Sequence, residues 1–146
     1  MTIWLDLLGA QTRYLGNEFS TRVIESGDGP ALVLVHGVGG HAEAYAKNVR
    51  RLGERYRAMA IDLVWHGLSS KPPFADPLPT YARQVIDLLD AEGYERAHIE
   101  GESLGGWVAL WLALHHPDRV DKIVLNTEER LAILRGVAHA QSEDDC

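Results

Sequence analysis

A chain of 146 residues with 46% hydrophobic and 24% charged content is long enough for one domain with a buried core and ordinary for a soluble globular protein. Fourteen lysines and arginines stand against 21 aspartates and glutamates, a net charge of −7 with no basic cluster, which argues against a nucleic-acid partner. The N-terminus has no basic region or cleavage-like site and no run approaches membrane-spanning length, so a cytoplasmic location without a membrane partner is expected; the only cysteine, Cys146, excludes an internal disulfide.

Residues 1 to 25 hold apolar runs broken at Gly9 and Gly16-Asn17, which predicts two short strands, the second near Phe19 to Ile24. Ser26 to Pro30 is a turn, and Ala31 to Val35 is a continuous apolar run of the kind buried on both faces of a parallel sheet. It runs into a glycine-rich loop, His36-Gly37-Val38-Gly39-Gly40. Ala42, Tyr45, Ala46, Val49 and Leu52 recur at helical spacing up to Gly53, so one amphipathic helix is predicted over residues 42 to 52.

Tyr56 to Ile61 reads as the next strand, followed by a loop from Asp62 to Ser69. Four prolines between Lys71 and Pro79 exclude regular structure there, and Thr80 is the predicted N-cap of a helix that buries Tyr81, Val85, Leu88 and Leu89 and stops at Gly93. Ala97 to Glu100 is a strand, Gly106 to Leu114 a helix apolar all round, and Asp121 to Asn126 a further strand after Pro117. Strands and helices therefore alternate, which predicts an α/β fold: a mostly parallel, doubly wound sheet with helices on both faces. Ligands of such sheets bind at the carboxyl ends of the strands, and His36, Asp62 and Ser103 all follow strand ends.

Between the Ala97 strand and the following helix lies Gly101-Glu102-Ser103-Leu104-Gly105, a serine on a tight reversal between small residues. Glycines at such a turn let strand and helix close without clashing while the serine protrudes, as a nucleophile must. With the His36-Gly37 loop and the Asp62 to Ser69 loop, this turn makes the sequence resemble the α/β-hydrolase fold family over residues 19 to 127. The nearest likeness is to bacterial meta-cleavage-product hydrolases and esterases. One departure is Trp65, which stands where the family's loop pattern has a glycine.

The resemblance implies a serine hydrolase without a cofactor or metal. Ser103 would attack the carbonyl carbon of a small ester, lactone or carbon–carbon substrate through an acyl-enzyme, with the backbone N–H groups of Val38 and Leu104 holding the oxyanion. His36, Gly37, Gly39 and His41 are candidate pocket residues, with His36 expected to serve mainly as support. The family's acid and histidine base usually follow the seventh and eighth strands, whereas residues 1 to 127 hold a core that stops after the sixth, followed by a predicted helical tail with an acidic end at 128 to 146. No histidine occupies the position the triad needs, so the chain is expected to be inactive alone. A second expectation is a non-catalytic module that keeps the fold and self-associates through its exposed sheet edge.

Overall fold

The structure, a computed structural model, describes residues 3 to 126; the predicted tail at 128 to 146 lies outside them. Strands β1 (Gln11–Leu15), β2 (Thr21–Ser26), β3 (Ala31–Val35), β4 (Arg57–Ile61), β5 (Ala97–Glu102) and β6 (Val120–Asn126) form one sheet in the order β1-β2-β4-β3-β5-β6. β1 and β2 pair antiparallel, and β2 joins β4 antiparallel. From β4 onward every pairing is parallel, which brings the carboxyl ends of β3, β4, β5 and β6 to one rim.

Alternation along the strands divides the core into two layers. Val33, Val35, Met59, Ile61 and Ile99 face α3 (Pro77–Ala91) and α4 (Leu104–His115), while Leu32, Leu34, Ala58 and Ala60 face α2 (Ala46–Leu52). Helices thus cover both faces, as the alternating sequence predicts. A short α1 (Ile3–Asp6), absent from the predicted elements, precedes β1. Among the described residues no helix is long and apolar enough to cross a membrane.

Most predicted elements shift by one or two residues at an end, and two differ in kind or by more. The helix predicted over 42 to 52 is a 3-10 turn (Ala42–Tyr45) continuing into α2. α3 begins at Pro77, not after Thr80, because a proline in the first turn gives up an N–H that would have no helical partner anyway. Thr80 lies inside the helix, where its Oγ1 donates to Asp76 O at 2.7 Å.

Candidate active site

Ser103 sits between β5 and α4 with φ 49° and ψ −110°, a backbone conformation that costs a residue with a side chain on the order of 1–3 kcal/mol. Small neighbours make the reversal possible. A Cβ on Gly101 would overlap the backbone of Gly105, and a Cβ on Gly105 would overlap the carbonyl of Val35. The turn is pinned by backbone alone: Ser103 N donates to Asn126 O at 3.3 Å, and Gly106 N to Ser103 O at 2.9 Å. The serine itself is exposed.

The loop after β3 lies against this turn. A Cβ built on Gly37 would stand 3.4 Å from both Glu102 O and the Cβ of Ser103, so the loop lies in van der Waals contact with the serine turn. Val38 is exposed, and Gly39 takes a left-handed φ of 70° in open space. Leu104 heads α4, where a first-turn N–H has no partner within the helix. The loop after β3 and the start of α4 therefore meet at the rim beside Ser103.

His36 is fully buried and offers no surface to a ligand. Its Nε2 accepts from Leu63 N at 3.0 Å and its Nδ1 lies 2.7 Å from Gly37 O, a pair satisfied by the neutral ring with its proton on Nδ1. Burial lowers its pKa, which favours that neutral form. His36 thus ties the loop after β3 to the loop after β4. His41 is exposed and pairs with Glu43 at 2.7 Å.

Asp62 is the second tie. Its fully buried carboxylate accepts from Ala42 N at 2.7 Å, Leu68 N at 2.9 Å and Arg22 Nη1 at 3.2 Å. Arg22 in turn bonds Glu43, whose pKa it draws down to about 2. Gln84 closes the same network, accepting from Val64 N at 2.9 Å and donating to Asp62 O at 2.9 Å and Thr21 Oγ1 at 3.0 Å. Sequence reasoning missed Gln84. Its signal was a polar residue in register with Tyr81 and Leu88 on the buried stripe of α3, where an amide must find buried partners.

The remaining described histidines are committed elsewhere or stand apart. His66 Nδ1 lies 3.1 Å from Val64 O, His98 pairs with Asp121 at 3.6 Å, and His115 Nδ1 lies 3.0 Å from Trp111 O. His116 follows α4 at the end away from Ser103, and His139 lies outside the described residues. A cavity of about 530 Å³ is lined by residues that precede β5 and β6, including Tyr94, Glu95 and Arg119. It is at the end of the sheet opposite Ser103, and the geometry of the turn outweighs its size in locating the site.

A family model described as alpha/beta hydrolase fold matches residues 30–139. An uncharacterised protein of Mycobacterium tuberculosis is 38% identical over 100 residues, covering 68% of this chain and 29% of that protein. The (E)-2-((N-methylformamido)methylene)succinate hydrolase of Acinetobacter baylyi is 27% identical over 137 residues, covering 92% of this chain and 49% of that enzyme. Among solved structures, the 2-hydroxy-6-oxo-6-phenylhexa-2,4-dienoate hydrolase of Rhodococcus sp. strain RHA1 superposes with a TM-score of 0.72 at 29% identity, over 80% of this chain and 46% of that one. The chain therefore spans less than half the length of each of these three proteins.

Proposed function

The chain belongs to the alpha/beta hydrolase fold family, and from that premise we propose that Ser103 is the nucleophile of a hydrolase acting on a small ester, a lactone or a carbon–carbon bond beside a carbonyl. The observation that carries this reading is the Ser103 turn: a strained, exposed serine set between Gly101 and Gly105, whose hydroxyl holds no hydrogen bond among the described residues.

In this reading the Ser103 hydroxyl gives up its proton as Oγ bonds to the carbonyl carbon. The resulting oxyanion takes hydrogen bonds from the N–H groups of Val38 and Leu104. Collapse expels the leaving group, which takes up a proton, and water then cleaves the acyl-serine to restore the hydroxyl. A base must accept the first proton; Nδ1 of His36, His41 and His66 is taken up by Gly37 O, Glu43 and Val64 O, and on this reading residues 1–146 alone should turn over substrate near the background rate.

The test supplies the base from solution. The chain is incubated with an activated acetyl ester, with and without imidazole, and the acylated residue is located by mass spectrometry. Imidazole-dependent acetylation of Ser103, lost in Ser103→Ala, is expected. Acetylation that proceeds equally in Ser103→Ala, or that settles on another residue, sinks the assignment.

A second reading, a binding module that self-associates, is favoured by β6. This strand ends the sheet order among the described residues, and Val124 on it is 58% exposed. Light scattering tests it, and a monomer at all concentrations would remove it.

A further inference from the structure

The start of the chain presents an apolar surface beside a groove in which cations outnumber acids. Ile3, Trp4, Leu5 and Leu8 are 38%, 75%, 55% and 66% exposed. They are not a loose end. Leu7 and Ala10 pack against the core layer under α2, which fixes the segment and turns Trp4, Leu5 and Leu8 outward. Gly9 packs on α2 as well, since a Cβ there would stand 3.6 Å from Arg50 Nε.

The facing side of α2 carries Lys47, Arg50 and Arg51 at helical spacing, and Glu54 follows just past its end. With Leu5 and Asp6 it lines an open groove of about 360 Å³. Arg13, Arg22, Arg57, Arg83 and Arg119 each hold a carboxylate. Lys47, Arg50 and Arg51 hold none among the described residues, although Asp6 and Glu54 share their groove.

We propose that this surface docks on an anionic lipid bilayer, with Trp4, Leu5 and Leu8 entering the interface and Lys47, Arg50 and Arg51 meeting the headgroups. Tryptophan and leucine beside lysine and arginine is the composition that seats peripheral elements at a membrane–water boundary. Charge decides between a membrane and a purely apolar partner. On a chain of net charge −7, Lys47, Arg50 and Arg51 stand next to the exposed apolar residues and outnumber Asp6 and Glu54 in their groove, so this face is attracted to an anionic sheet.

Topology sets the orientation. α1 precedes β1 and α2 runs away from the rim, so the patch lies toward the amino ends of β3 and β4. Docking there leaves Ser103 facing water. The surface would tether the protein without delivering lipid to the serine.

The test is co-sedimentation of the full chain with vesicles of phosphatidylcholine alone and of phosphatidylcholine mixed equally with phosphatidylglycerol. Binding only to the anionic vesicles, weakening as salt is raised, is expected. Because each cation near the surface is worth roughly fivefold, the triple variant Lys47→Glu/Arg50→Glu/Arg51→Glu should lose at least about 100-fold in partitioning. Trp4→Ala/Leu5→Ala/Leu8→Ala should lose about tenfold or more. Asp6→Asn/Glu54→Gln should bind more tightly, whereas a protein partner that pairs with those acids would bind less tightly. Circular dichroism checks that each variant keeps its fold. No partitioning, or partitioning indifferent to both triple variants, overturns the proposal. So does a dimer in light scattering that the apolar triple variant dissolves while vesicles are ignored, because a second copy is then the occupant.

Discussion

Two residues with side chains hold a positive φ among those described, Trp65 at 65° and Ser103 at 49°, and they are held there in opposite ways. Trp65 is restrained by its own bonds. Its N donates to Ser70 O at 3.0 Å, its Nε1 donates to Pro72 O at 2.7 Å, and its ring packs at 5.5 Å from Phe74 and 5.6 Å from Tyr81. Ser103 is held by backbone hydrogen bonds alone, to Asn126 O and from Gly106 N, in space left open by Gly101 and Gly105. Strain alone therefore does not mark a reactive site. What separates the two is whether the strained side chain has been spent: the indole is committed to the fold, and the hydroxyl is left for chemistry.

The largest effect should come from the network under the Trp65 loop. Asp62→Ala strands Ala42 N, Leu68 N and one contact of Arg22 in a buried site, and removing one partner of a buried ion pair typically costs about 3–5 kcal/mol. Urea unfolding should show that loss. A loss below about 1 kcal/mol would mean the loops are held by something other than Asp62. The matching change under the serine is Gly101→Ala, whose methyl meets the Gly105 backbone and should cost about 1–3 kcal/mol. Losses of this order at both sites would support two independent supports for one rim.

Substituting the strained residues themselves should separate them by sign. Ser103→Gly removes strain and little else, so it should raise stability by about 1 kcal/mol while abolishing acylation. Trp65→Gly also relieves strain but deletes a hydrogen bond and two ring contacts, so it should lower stability by about 1–3 kcal/mol. If both glycines stabilise, the indole is not the restraint, and the contrast between the two turns fails.

That contrast also marks where the sequence was legible. The strand-and-helix alternation and the Ser103 turn could be read because each depends on neighbours in the chain: apolar runs, Gly101 and Gly105. The Trp65 conformation could not, because its support comes from Ser70, Pro72, Phe74 and Tyr81 acting together across a proline-rich segment. The start of α3 at Pro77 was obscured by reading every proline as a breaker, although a first turn tolerates it. The role of His36 was half legible. A buried histidine at a strand end suggests support, but its partner Leu63 lies 27 residues away and only the fold brings them together.

The smallest prediction concerns a second buried carboxyl, on the serine side. Asp62, beneath the Trp65 loop, has both carboxylate oxygens hydrogen-bonded; Glu100, in β5 just before the Ser103 turn, keeps a buried Oε2 without a partner among the described residues. The hydroxyl of Tyr45, which donates to Val35 O at 2.9 Å, is close enough to oppose the rise, and Glu102 adds a like charge. Burial nevertheless dominates and raises the pKa of Glu100 above its usual 4.5. A raised carboxyl favours the fold below the unfolded pKa and loses that advantage as pH climbs through the folded value. Glu100→Gln cannot ionise, so it should match the parent below pH 4.5 and become more stable than it at neutral pH, by up to about 1 kcal/mol. Thermal unfolding of both chains across that range checks the sign. Equal stability at every pH would mean that the carboxylate is paired, and the asymmetry between the two buried acids would be gone.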